Sequence, residues 1–413
     1  MVTARKATPA QASDPWYAVM LELLRRAELC QPDDLIAMVD QVIHTVGLEL
    51  TVYLIDYEQQ ALRAIPTDGA PFPPPLPVDT TMAGRAFSLI RTLAGQPTAH
   101  RAGRLWIPLV DGSERLGVVE LAPAGQPPGA PSPGPRDQCE MLVHLLGHLI
   151  TAKMPYGDVF HQIRRSQPMT PGSELLLRLV PPLTFTSDRM VISAIIEPCY
   201  DSGGDAFDYA VDGSTVHIAI LDAMGKGLSA GVASAVALAA MRATRRAGGG
   251  LYAMGRAIDT ALEEQFRELR FVTAVLAELH LETGLLRYIN AGHPAPLLLR
   301  DKHLVRTLDA GRRMPLGFDD PSIQVAEDTL QPGDRLLFYS DGVVEARDPA
   351  GEMFGLTRLI ELVSRQIHAQ QPAPEILRRL FNAVFDHRRA LPADDATLLL
   401  LDWSRAAAER AVL

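Results

Sequence analysis

Cysteine is nearly missing from this sequence: three in 413 residues, Cys30, Cys139 and Cys199. Odd in number and widely separated, they form neither a disulfide framework nor a zinc-ligand pattern, and they suit a reducing compartment. Basic residues are the minority charge, 39 against 49 acidic, for a formal charge of −10. General affinity for nucleic acid or an anionic membrane needs clustered Lys and Arg, so the balance argues against both partners. Long apolar runs are missing too, since no window reaches the roughly 18 uninterrupted residues of a membrane span. The start, MVTARKATPAQASDPWYAVM, has no apolar core followed by a small-residue cleavage site. A phosphate-binding loop is absent as well: Lys226 in "GKG" is followed by Gly227, not Ser or Thr, and the upstream glycine spacing does not fit. Together these absences predict a cytoplasmic protein with protein or small-molecule partners.

What is present is a soluble globular composition, 47% apolar and 21% charged, in a chain long enough for two domains. Residues 1–14 read as a disordered lead. From residue 15 to 150, "WYAVMLELLRRAELC" and "PDDLIAMVDQVIHTVG" have helical apolar spacing, and "ELTVYLIDY" alternates as a strand. "RLWIPLVDGSERLGVVELAPA" reads as two strands joined at Asp111-Gly112-Ser113, and "QCEMLVHLLGHLITAKM" as a helix. Residues 151–175 form a helical connector, in which Thr170-Pro171-Gly172-Ser173 is a helix start. Residues 176–405 interleave strands and helices, with hairpins that imply largely antiparallel sheets.

Carboxylates recur at strand ends in this second region. In "TVHIAILDA" the side-chain period of two puts Val216, Ile218, Ile220 and Asp222 on one face. If the aliphatic residues face the core, so does the aspartate, and a core-facing carboxylate is costly unless paired or bound to a metal. No arginine is near in sequence, so a cation is the economical partner. "DSGGDAFD" (Asp205, Asp208), "LLFYSDGVVEA" (Asp341) and "LPADDATLLLL" (Asp394, Asp395) repeat the pattern. Taken singly each reads as a turn former or a cap; order and spacing together point to a site. Hard oxygen ligands suit Mg²⁺ or Mn²⁺, and aspartates around two such ions meet the needs of hydrolytic phosphoryl transfer.

The pieces "GGDAFD", "ILDAMGKGLSAG", "FVTAVLAELHLETGLLRYINAGHPAPLLL", "PLG", "LLFYSDGVVEAR" and "DDATLLLL" follow one another in this order. As a set they resemble the metal-dependent PPM-type serine/threonine protein phosphatases, in their bacterial SpoIIE-like branch. The resemblance implies an α-β-β-α sandwich of four layers with two mostly antiparallel sheets and a centre of two Mn²⁺ or Mg²⁺ ions. It implies Asp205 and Asp222 as shared ligands, the Ala223 carbonyl as a further one, and Asp341 and Asp394 on the other ion. Asp394 is taken over Asp395 as the first acidic residue of its motif, and Asp208 and Glu345 become candidates for a surrounding or third-metal role. The implied activity is hydrolysis of phosphoserine or phosphothreonine by metal-activated water on a signalling protein, an anti-sigma factor antagonist of STAS type. Met224 stands where many eukaryotic members have histidine, and no phosphate-binding arginine precedes the first acidic motif, which leaves the proton donor unassigned.

His293 in "NAGHPAP" reads as structural, because Gly292 and Pro294 mark a tight turn. Residues 15–150 resemble a GAF-type sensor through "VDTTMAGRAFSL" and "RLWIPLVDGSERLGVVEL". The ligand of that domain is unknown or none, and homodimerisation through it is left open. Cys30 and Cys139 read as structural, and His144 and His148, four apart, as an interface face in preference to a metal pair. The expected whole is a sensor-regulated phosphatase. The competing reading is a catalytically silent scaffold that binds a partner protein.

Overall fold

The computed structural model describes residues 14–66, 73–197, 203–389 and 395–412. Contacts divide the chain into two compact units, residues 1–166 and 167–412. The expected lead falls outside the described residues except for Asp14. That residue caps α1 (Pro15–Leu29), its carboxylate accepting from the Trp16 N–H at 2.9 Å.

After α1 the first unit continues through α2 (Leu35–His44), β1 (Leu48–Ile55), β2 (Ala61–Ala64), β3 (Leu76–Pro77) and α3 (Met82–Leu89). β4 (Leu93–Gly95), β5 (Arg104–Asp111), β6 (Glu114–Pro123), α4 (Arg136–Lys153) and α5 (Val159–Arg164) complete it. The strands form one antiparallel sheet in the order β3-β2-β1-β6-β5-β4. The expected turn at Asp111-Gly112-Ser113 joins β5 to β6, with Gly112 at φ +59. On one face Val52, Ile107, Leu109 and Val119 pack against Leu23, Val39, Val143 and Phe160 of the helices. On the other, Tyr53, Ile55 and Val118 meet Ala83 and Phe87 of α3. Cys139 is fully buried in the first layer, and burial pushes its thiol up to about 11, which leaves it unreactive. Cys30 donates to the Gln31 carbonyl, and Cys199 lies outside the described residues. His148 pairs with Asp111. Burial lowers the pKa of His144.

The second unit opens with α6 (Pro171–Leu179), where Thr170 accepts from the Ser173 N–H as the cap. It continues with β7 (Thr184–Thr186), β8 (Val191–Glu197), β9 (Asp205–Asp212), β10 (Thr215–Ala223), α7 (Leu228–Arg246), α8 (Leu251–Gln265), β11 (Val272–His280) and β12 (Leu285–Ala291). β13 (Leu297–Arg300), β14 (His303–Thr307), β15 (Arg312–Arg313), β16 (Ala326–Thr329), β17 (Arg335–Tyr339) and α9 (Asp341–Val344) come next. α10 (Leu356–His368), α11 (Ala373–Arg388), β18 (Ala396–Asp402) and α12 (Arg405–Arg410) close it. Of the expected connector, α5 packs in the first unit and α6 in the second.

One sheet runs β15-β12-β11-β10-β9, with β16 beside β12, and the other runs β14-β13-β17-β18-β8-β7. All pairings are antiparallel except β12 with β15. Between the sheets Phe207, Val216, Ile218 and Ile220 meet Phe338, Leu399 and Leu401. Outside the first sheet, Ala230, Ala233, Ala237 and Leu238 of α7 lie on Ala219, Leu221 and Ala274. Outside the second, α10, α11 and α12 cover Leu337, Leu398 and Leu400. The result is four layers, helix-sheet-sheet-helix. Small residues on α7 bring the helix close to the strand that carries Asp222.

Candidate active site

Because Val216, Ile218 and Ile220 point between the sheets, the period of two brings Asp222 to that same face. In register opposite Asp222 stands Asp205, the first residue of β9. Directly opposed cross-strand residues hold their Cβ atoms about 4.5–5.5 Å apart, and like charges so placed repel. Asp205 is only 1% exposed. Its carboxyl is held well above the ordinary range, first by burial, then by the charges of Asp222 and Asp395; the hydroxyls of Ser340 and Thr397 pull the other way. Its Oδ2 is buried without a hydrogen-bond partner among the described residues.

The second sheet supplies the other wall. Where β17 ends and β18 begins, the Ser340 N–H donates to the Thr397 carbonyl at 3.0 Å, and Ser340 Oγ accepts from the Thr397 N–H at 2.9 Å. Asp395, just before β18, reaches across: its Oδ2 accepts from the N–H groups of Gly204 at 2.6 Å and Asp205 at 3.2 Å. Gly204 keeps the middle open. A Cβ there would lie 3.0 Å from the Ala223 carbonyl oxygen, 3.4 Å from Asp222 Oδ1 and 3.5 Å from Asp395 Oδ2. Three oxygens thus face one small space beside a buried, unpartnered carboxylate oxygen. That donor set fits a hard divalent cation and not a soft one.

Asp341 opens α9 directly after Ser340 and is half-buried. Asp394 lies outside the described residues, and among those described no group of three or more His, Cys, Asp and Glu side chains is already arranged to hold a metal. Asp208 has partners that the sequence did not show. Three residues beyond Asp205 on β9, it faces the helix layer, where Arg242 Nη2 at 2.6 Å and Arg245 Nη1 at 2.7 Å take its two oxygens. It fastens α7 to the sheet. Glu345 is exposed. His293 is 2% exposed; Nδ1 is 2.9 Å from Thr273 Oγ1, and burial brings its pKa down to about 3. It is a neutral structural imidazole. Ser340, Thr397 and the bridging role of Asp395 had no signal in the sequence, since each depends on two distant strands meeting.

Four glycines bind α6 to these loops. A Cβ on Gly172 would sit 3.1 Å from the Gly227 carbonyl carbon, one on Gly203 3.1 Å from the Gly172 carbonyl carbon, and one on Gly231 3.1 Å from the Gly203 oxygen. The first turn of α6 therefore touches both the segment before Asp205 and the loop after Asp222.

Residues 212–404 match the family model for stage II sporulation protein E (SpoIIE). Over this region the chain is similar to SpoIIE-type phosphatases. The chain is 25% identical over 274 residues to the phosphoserine phosphatase RsbU of Bacillus subtilis (strain 168), covering 63% of this chain and 80% of RsbU. To the phosphoserine phosphatase RsbP of the same organism it is 25% identical over 223 residues, 52% of this chain and 53% of RsbP. Among solved structures, the SiaA-PP2C domain of Pseudomonas aeruginosa is similar at a TM-score of 0.48 and 21% identity, covering 56% of this chain and 94% of that domain. The matched span holds the pieces that begin at β10, Asp222 and Ala223 among them; Asp205 precedes it.

Proposed function

We propose that this phosphoprotein phosphatase hydrolyses phosphoserine or phosphothreonine on a signalling protein, at a divalent-metal centre formed by Asp205, Asp222, the Ala223 carbonyl and Asp341 with the acidic pair Asp394 and Asp395. The observation that carries the reading is the convergence of the Asp222, Asp395 and Ala223 oxygens over Gly204, beside the Oδ2 of Asp205, which is unpartnered among the described residues. Two Mn²⁺ or Mg²⁺ ions, when bound, supply Lewis acidity at the phosphoryl group and acidify water. The chain's own groups set the rest. Asp395 holds its oxygen through two backbone N–H groups, and the backbone turn at Gly225, φ +96, and Gly227, φ +72, presents the Ala223 carbonyl. Met224 carries no acidic proton, and His293 is buried against Thr273.

The substrate is a phosphorylated anti-sigma factor antagonist of STAS type, as the resemblance to SpoIIE-like phosphatases implies, and similarity to the phosphoserine phosphatase RsbU supports phosphoserine as the group removed. The first unit acts as a GAF-like sensor and a dimerisation platform, and its signal reaches the site through α6, whose Gly172 packs on Gly227 and Gly203. Among the described residues no helix is long and apolar enough to cross a membrane, in keeping with a cytoplasmic partner. The test is turnover of a phosphoserine peptide by the full chain with Mn²⁺, with chelator, and with Asp222→Ala. Turnover that ignores both chelator and substitution would defeat the proposal.

A further inference from the structure

The site as described is acidic, and its substrate is a dianion. Asp205, Asp222 and Asp395 crowd one end of the sandwich, and a phosphoryl group entering there meets like charge. A fixed cation at the mouth would favour its entry in addition to any ions held by the aspartates. The segment that precedes β11 supplies one. β11 pairs with β10 so that Thr273 is opposite Asp222 and Val272 opposite Ala223. One step further out the Met224 N–H donates to the Phe271 carbonyl at 3.1 Å, which carries the pairing past the strand end. Arg270 comes next, beside the loop that follows Asp222. Its Nη1 lies 3.7 Å from where a Cβ on Gly225 would stand.

The backbone of Arg270 is held firmly. A Cβ on Gly317 would be 2.3 Å from the Arg270 carbonyl oxygen, and Val272 and Leu316 exchange N–H···O bonds of 2.9 Å close by. The side chain is half-buried, and among the described residues its guanidinium has no carboxylate partner. That sets it apart from Arg242, Arg245, Arg300, Arg313 and Arg335, each of which is spent on an aspartate. A fixed backbone with a fork of donors uncommitted among the described residues, three residues from the strand partner of a site aspartate, is a binding arrangement. The neighbouring Leu228 and Leu269 are 54% and 57% exposed, apolar surface of the kind a protein substrate can cover.

We infer that Arg270 binds the phosphoryl oxygens of the phosphoprotein substrate, the role for which the first acidic motif offers no upstream arginine. The inference rests on the phosphatase reading of the site. Its test uses the full chain in Mn²⁺ with two readouts: calorimetric binding of inorganic phosphate, and KM and kcat on a phosphoserine peptide. Arg270→Gln should weaken phosphate binding and raise KM by about tenfold or more, the loss of a charge-assisted hydrogen bond. Arg270→Lys, which keeps the charge but not the fork, should recover part of both. Lys226→Gln, in the same exposed loop, should change each by about twofold at most. Phosphate and peptide handled by Arg270→Gln as by the unaltered chain overturns the inference, as does finding the loss in Lys226→Gln instead. If the chain bound phosphate through Arg270 yet turned over no peptide, the anion site would stand and the phosphatase reading alone would fall.

Discussion

Replacing Gly204 by alanine adds one methyl group to the space on which the proposed centre depends. The new Cβ would stand 3.0 Å from the Ala223 carbonyl oxygen, 3.4 Å from Asp222 Oδ1 and 3.5 Å from Asp395 Oδ2. The two carboxylates can rotate by a few tenths of an ångström. The carbonyl cannot, because Ala223 is fixed between β9 and β11: its N–H donates to the Gly204 carbonyl at 3.2 Å, and the residue pairs with Val272. Overpacking of this kind costs about 1–3 kcal/mol. Gly204 does not have a positive φ, so part of the loss is offset by about 0.4–1 kcal/mol from a stiffer unfolded chain. A net loss near 1 kcal/mol lowers the melting temperature of a unit this size by about 2–4 °C. The functional loss is larger in proportion. A methyl group in the space the three oxygens share displaces a cation and disturbs its ligands, so Mn²⁺ affinity should fall by about ten- to a hundredfold or more. The assay pairs thermal unfolding in chelator with a Mn²⁺ titration of turnover. A Gly204→Ala chain that unfolds within a few degrees of the original and activates at the same Mn²⁺ concentration would refute the placement of the centre.

Three further outcomes follow from the same geometry. Asp205→Asn should abolish Mn²⁺-dependent turnover while raising the melting temperature of the chelated protein at pH 8; its folded pKa lies above the unfolded one, so stability is lost as pH rises through that window, and an amide removes the loss. A lowered melting temperature would contradict it. For His293, whose folded pKa of about 3 lies below the ordinary value near 6.5, stability is fully present above the ordinary value and lost as pH falls toward 3. Denaturant midpoints at pH 7.5 and 5 should therefore differ less in His293→Gln than in the original chain, and the neutral limb of the pH–rate profile should stay put. Asp208→Ala, which strands Arg242 and Arg245, should cost about 3 kcal/mol in urea unfolding, at the low end for a broken buried pair because the arginines are partly exposed. Its Mn²⁺ titration at low temperature should be unchanged; a shifted titration would return Asp208 to the metal centre.

Local sequence determined much of this protein. Apolar spacing marked α1, α2 and α4, and turn residues marked the β5–β6 hairpin, because both depend on neighbours a few residues apart. The face of Asp222 was legible for the same reason: the period of a strand is fixed, and three aliphatic residues declared which side was the core. The pairing of Asp205 with Asp222 was not, since register between strands separated by a turn is set by the whole sheet. The partners of Asp208 were not legible either, because Arg242 and Arg245 lie a helix away. Asp395 and Ser340 gained their places only when β17 and β18 of one sheet met β9 of the other. Sequence alone decided which residues could bear charge at a strand end; tertiary structure decided which were paired with arginines and which were gathered at one end of the sandwich, because burial and neutralisation belong to the space between elements and not to the chain.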